Sequence, residues 1–162
     1  MQTTTAALRL TRRFDATPER VFDAWVDPPV AGRWLFATAM RPLAHVAIDA
    51  RVGGRFVLVE GDGRRDTRRS GTYLRLVRPS HLAFTMTTDD GADAETSVAV
   101  GLRAARRGCV LTLAHADVAR GDLRALEARW LGVLYGLAET LDLMRHRAGA
   151  EAFAAAVPAI AG

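Results

Sequence analysis

The sequence predicts an α+β domain in which an antiparallel β-sheet curls around one long C-terminal helix. Two observations carry this. Six short strand-like runs follow one another between about residues 45 and 115, separated by hairpin-length turns, which implies a meander and so an antiparallel sheet. From about residue 122 to 146 the apolar side chains Leu123, Leu126, Trp130, Val133, Leu134, Leu137, Leu141 and Met144 recur at three- and four-residue steps. A helix of that span, at 1.5 Å rise per residue, runs on the order of 37 Å and crosses a whole sheet.

The chain opens with a half-buried strand over residues 8–14, where Leu8, Leu10, Arg12 and Phe14 alternate with Arg9, Thr11 and Arg13. Thr17-Pro18-Glu19 then starts a helix, with Thr17 as its N-cap, Pro18 at the first helical position and Glu19 near the positive end of the dipole. Val21, Phe22, Trp25 and Val26 share one side of it. Asp27-Pro28-Pro29 ends it, and a second short helix carries Val30, Arg33, Trp34 and Leu35, with Arg33 and Asp27 serving helix ends. The six runs cover residues 45–50, 55–60, 71–77, 82–88, 96–104 and 110–115, and the paired glycines Gly53 and Gly54 allow a tight connection. In the last helix Leu131 and Tyr135 are expected to widen the gripped face, and Arg145, His146 and Arg147 to lie at its negative end.

A length of 162 residues suits one domain with a core that needs no staples. The expected division is a folded domain over 1–147 and an Ala-rich tail over 148–162, which extends the helix, docks on the sheet or meets a second copy in a homodimer; Pro158 stops a helix there. No run reaches the roughly 18 apolar residues of a membrane span. Arg9, Arg12 and Arg13 interrupt any secretory signal core. The single cysteine, Cys109, allows no internal disulfide and fits a reducing, bacterial cytoplasm.

All 22 basic residues are arginine, and asparagine is absent, a codon signature of a GC-rich genome. That bias discounts the net charge of +4 as a sign of nucleic-acid binding, which needs a clustered patch. The run Arg64-Arg65-Asp66-Thr67-Arg68-Arg69 reads as a solvated loop, without the interleaved aromatics that single-strand binders use. Without lysine there is no Schiff base and no P-loop. None of Ser70, Ser80 and Ser97 lies in a nucleophile elbow, and His45, His81, His115 and His146 form no metal pair, so no metal and no cofactor is expected.

The segment Phe14-x-Ala16-x-Pro18-x-x-Val21-Phe22-x-Ala24-Trp25-x-Asp27-Pro28, followed by Arg33-Trp34, resembles the opening of the START-like (SRPBCC) superfamily. It is most similar to the branch named after the activator of the ninety-kilodalton heat-shock-protein ATPase. Asp49-x-Arg51-Val52-Gly53-Gly54-x-Phe56, Gly71-x-Tyr73-Leu74, His81-Leu82-x-Phe84-Thr85, Leu111-Thr112-Leu113-x-His115 and Trp130 continue it in order from about residue 8 to 144. The resemblance implies the helix-grip fold and a cavity between sheet and long helix, where members bind lipids, sterols, polyketides or plant hormones and some act as cyclases. It implies no cofactor and no shared catalytic triad.

Strand alternation with the more apolar set turned inward nominates a ligand-binding lining. It comprises Phe56 and Leu58, Phe84 and Met86, Val98, Val100 and Leu102, and Leu111 and Leu113. The helix adds Trp130, Leu134, Leu137 and Leu141, and Trp34 stands at the mouth. Tyr73 is a candidate for orienting a ligand. His115, in phase with Leu111 and Leu113, is a candidate buried donor or general base, and Glu60, in phase with Phe56 and Leu58, a carboxylate expected in solvent. Three functions follow: a small hydrophobic-ligand carrier; a cyclase, dehydratase or hydrolase using His115, Tyr73 or Glu60 in the same cavity; and a co-chaperone.

Overall fold

The computed structural model describes residues 4–37, 43–61, 64–89 and 94–156. The elements are β1 (Thr5–Phe14), α1 (Pro18–Val26), α2 (Pro28–Trp34), β2 (Leu43–Ile48), β3 (Arg55–Glu60), β4 (Thr67–Val77), β5 (His81–Thr88), β6 (Thr96–Ala105), β7 (Gly108–Ala119) and α3 (Leu123–Ala156). The strands form one seven-stranded antiparallel sheet in the order β1-β7-β6-β5-β4-β3-β2. This is the helix-grip architecture. The meander runs from β2 to β7, and β1 returns to pair with β7, so the chain's first strand becomes one edge.

Period-two burial fixes which face turns inward. In β3 Phe56, Leu58 and Glu60 are buried, in β5 Leu82, Phe84 and Met86, and in β7 Cys109, Leu111, Leu113 and His115. The register stacks these rows: Phe84 faces Val98, Val100 faces Leu113, and Leu102 faces Leu111. Trp130, Leu134, Leu137 and Leu141 of α3 close over them as one core.

The start of α1 forms as the sequence dictates, with the Arg20 amide donating to Thr17 Oγ1 at 3.3 Å. Gly53 adopts φ +82°, the left-handed region, and a Cβ on Gly54 would lie 2.1 Å from the Asp49 carbonyl oxygen, so both glycines of the connection are required. Arg12, the polar intrusion in β1, lies with its guanidinium 5.5 Å from the Phe14 ring and 5.9 Å from that of Tyr135. Asp27 makes no side-chain cap; its carbonyl accepts from Val30 and Ala31 instead.

Three expectations about the elements are corrected. Of the alternatives for the tail, extension of the helix is the one that forms: α3 continues to Ala156, well past the end of its apolar stripe, because the Ala-rich segment is a strong helix former even without a partner face. Arg145, His146 and Arg147 therefore lie inside the helix, where Arg145 pairs with the Asp142 carboxylate and His146 Nδ1 lies 2.8 Å from the Asp142 carbonyl oxygen. The helix runs through the 147/148 position at which the tail is expected to begin, and Pro158 lies outside the described residues. Leu131 and Tyr135 are 50% and 58% exposed: the gripped face is a narrow stripe, and both lie outside it, Tyr135 beside Arg12 of β1. Residues 67–69, read as part of a solvated loop, open β4, and Arg69 is buried.

Candidate functional site

Strands β3, β4 and β5 curve away from the end of α2 and leave an apolar recess. Phe56 and Leu58 of β3, Tyr73 of β4, and Leu82, Phe84 and Met86 of β5 form its floor. Trp25 of α1, Leu35 and Phe36 just after α2, and Ile48 of β2 complete the wall. The aromatic rings interlock: Phe56 and Phe84 meet edge to face at 5.3 Å, and Tyr73 lies 5.6 Å from Phe56.

The recess is closed. Its free volume is about 10 Å³, at the lower limit for one water and far below the roughly 300 Å³ at which ligand pockets begin. Among the described residues the open cavity expected from the sequence is not formed, because the aromatic side chains that would line it meet one another. A larger hollow of about 460 Å³ lies between the end of β1 and α3, but it is open to solvent and edged by charges including Arg12, Asp15, Glu139 and Asp142.

The residues nominated from the sequence divide into two groups. Phe56, Leu58, Tyr73, Phe84 and Met86 border the recess. Val98, Val100, Leu102, Leu111, Leu113, Trp130, Leu134, Leu137 and Leu141 are buried outside it, as packing between sheet and helix. Trp34 does not stand at a mouth. It is 0% exposed, and its indole N–H donates to the Ala24 carbonyl at 3.1 Å, joining α2 to α1. The wall residues Trp25, Leu35, Phe36, Ile48 and Leu82 were not nominated. Trp25, on the apolar side of α1, and Leu82, in phase with Phe84 and Met86, had signals that place them in the core without saying which hollow they border.

Phe36 is the unusual member. Its φ is +58°, a left-handed conformation that bulky side chains rarely adopt, yet only 4% of it is exposed. The ring packs 5.1 Å from Trp130, with the Arg69 guanidinium 4.4 Å from its centroid and that of Arg129 at 5.6 Å. Arg69 is itself buried, and its Nη1 donates to Glu60 Oε2 at 2.7 Å, while Arg129 reaches the same oxygen at 3.1 Å. Glu60 is thus 6% exposed and anchors two arginines, not the solvated strand-end carboxylate expected.

His115 is equally committed. An indole N–H can only donate, so His115 Nδ1 accepts from Trp130 Nε1 at 2.9 Å and the imidazole proton sits on Nε2. Nε2 donates to Thr96 Oγ1 at 2.8 Å, and Thr96 in turn donates to the Met86 carbonyl at 3.1 Å. Burial pulls the imidazole down to about 4, against the opposing charge of Asp117. A neutral ring with both nitrogens engaged is a structural link between α3, β7, β6 and β5, with no free lone pair for a general base. Burial also raises the Tyr73 phenol above its usual value, so it stays protonated. Among the described residues, no group of three or more His, Cys, Asp or Glu is placed to hold a metal, and no helix is long and apolar enough to cross a membrane.

Sheet, gripping helix and recess together define a START-like helix-grip domain. The pattern of the family described as activator of Hsp90 ATPase homolog 1-like protein matches residues 15–142, and the chain belongs to that family. Solved structures agree. A protein from Chromobacterium violaceum, CV1439, is 26% identical with a TM-score of 0.75 over 82% of this chain and 94% of its own. An AHSA1-like protein from Aeromonas hydrophila is 23% identical with a TM-score of 0.73, covering 86% and 94%. DynU16, from the dynemicin biosynthetic locus, shares the fold at 20% identity and a TM-score of 0.70, over 84% of this chain and 47% of its own. No curated protein matches.

Proposed function

We propose that this chain binds a small hydrophobic molecule in the recess between the sheet and the α2–α3 side, the guest taking the place now filled by the Phe36 ring. One observation carries the reading: an otherwise apolar recess is completed by a phenylalanine in the left-handed region. Such a conformation costs on the order of 1–3 kcal/mol and persists only when the surroundings hold it. Withdrawal of Phe36 releases that strain and vacates a site bounded by the Trp130 ring and the Arg69 guanidinium. The guest's affinity comes from apolar burial at roughly 25 cal/mol per Å². A flat aromatic or polyketide-like body suits the stacking surfaces Phe36 leaves, and the setting of DynU16 in a biosynthetic locus is in keeping with such a guest.

The test is a Phe36→Ala variant titrated with 1-anilinonaphthalene-8-sulfonate and with fluorene, alongside native mass spectrometry of freshly purified protein. The variant is expected to bind more tightly than wild type, since the plug is gone. Failure of both proteins to bind either probe would sink the reading. The enzymatic alternative loses its strongest candidate base in His115, and the co-chaperone alternative rests on the family's name, which fold likeness does not convert into activity.

A further inference from the structure

The chain holds three tryptophans, all buried, and the fate of their indole N–H groups differs. Trp34 donates to the Ala24 carbonyl and Trp130 to His115 Nδ1. Trp25 is 2% exposed, and its Nε1 has no hydrogen-bond partner among the described residues. It is also the one of the three that borders the recess. A buried donor left unpaired forfeits its hydration without compensation, which is why nearly all such groups in native proteins find a partner. Its nearest ring neighbours are aromatic: Trp34 at 4.7 Å, Trp130 at 6.2 Å and Phe84 at 6.3 Å. An ordered water would need two to four polar partners, and the wall around it is almost entirely hydrocarbon.

We infer that the guest of this recess carries a hydrogen-bond-accepting oxygen, a ketone, ester or quinone carbonyl on an apolar body, and that Trp25 Nε1–H donates to it. This rests on the recess being the binding site and adds the guest's chemical class. An indole N–H is a donor only, so it pairs with a guest's acceptor atom and offers nothing to a group that can only donate. A pure hydrocarbon of the same shape leaves the N–H unpaired, as it is in the empty recess, so the preference equals the hydrogen bond that the carbonyl adds. One neutral hydrogen bond in such a site corresponds to roughly a 3- to 10-fold preference.

The experiment uses 9-fluorenone and fluorene, planar probes that differ chiefly in one carbonyl, titrated into wild type, Phe36→Ala and Trp25→Phe. Fluorenone is expected to bind roughly 3- to 10-fold more tightly than fluorene to wild type and Phe36→Ala, and Trp25→Phe to erase the difference between the two probes, whatever its absolute affinity for either. Equal binding of the two probes overturns the inference and leaves the recess reading intact; that is the result if the Trp34 ring, 83° to Trp25, already satisfies the N–H. Binding of neither probe to any of the proteins overturns the recess reading and the inference with it. Should Trp25→Phe not fold, the wild-type indole resonance decides. A downfield shift of the Trp25 Nε1 proton with fluorenone and not with fluorene supports the inference, and an unmoved resonance overturns it.

Discussion

Acidification should loosen the fold through one residue. His115 links Trp130 to Thr96 only as a neutral ring, because protonated Nδ1 cannot accept the Trp130 indole N–H. Its folded value is pulled from 6.5 to about 4, mainly by burial. The sign follows from proton linkage. Between about pH 6.5 and 4 the unfolded chain binds a proton at this histidine that the folded chain refuses, so stability falls as pH falls through that window. Below about 4 both states are protonated and the loss levels off. At about 1.36 kcal/mol per unit, the full window is worth at most about 3 kcal/mol. The assay is urea denaturation at half-unit steps from pH 7.5 to 3.5, for wild type and for His115→Gln. The Gln amide keeps an N–H for Thr96 and an acceptor oxygen, but does not titrate. Wild type should lose up to one proton's worth of slope that the variant lacks, whatever the variant's absolute stability. Identical pH profiles would refute the assignment of His115 as a buried neutral link.

Two further predictions concern packing. Glu60→Gln leaves the buried Arg69 facing a weaker acceptor and should cost about 3–5 kcal/mol in denaturant unfolding, whereas Arg129→Ala, whose partly exposed side chain reaches the same oxygen, should cost under about 1 kcal/mol. Equal effects would show that the carboxylate is held from the surface side. Gly71→Ala places a Cβ 1.8 Å from the Thr85 carbonyl oxygen and 2.7 Å from the Phe56 ring, so β4 must shift at about 3 kcal/mol. Gly101→Ala meets nothing within 4 Å and should raise the melting temperature slightly, by about 0.5 kcal/mol of stability. Thermal melts of the two variants should therefore move in opposite directions.

Much of the architecture was legible because its signals are local. The Thr17 cap, the alternation in β3, β5 and β7, and the three-four spacing over 130–141 each act within a few residues, and each forms as read. The site was less legible because it depends on register and on a backbone exception. Glu60 pairs with Thr67 across β3 and β4, and Leu58 with Arg69, so the Glu60–Arg69 ion pair is a diagonal contact visible only once that register is known. The same register puts Arg69 on the inner face, which a loop reading of the arginine run could not do. Phe36 carries no signal in its residue type. It stands just past the Leu35 C-cap of α2, where a left-handed residue commonly ends a helix, but the usual occupant is glycine or asparagine.

Phe36 and Trp25 are two departures from ordinary folding rules, and they border the same hollow. A left-handed phenylalanine and an unpaired buried donor each cost on the order of 1–3 kcal/mol, against a total stability of only about 5–15 kcal/mol for a domain. A core under selection for packing alone has an easy remedy for each: a glycine or asparagine at 36, a phenylalanine at 25. Elsewhere the same core is well matched, with His115 using both nitrogens and Trp34 and Trp130 both paired. Arg107 and Asp117 also adopt left-handed φ, but both are exposed, and Phe36 is the buried one of the three. Where local rules fail inside an otherwise well-matched core, function is the usual cause. A single guest that displaces the ring and accepts from the indole removes both penalties at once, whereas tighter packing of the empty recess removes neither.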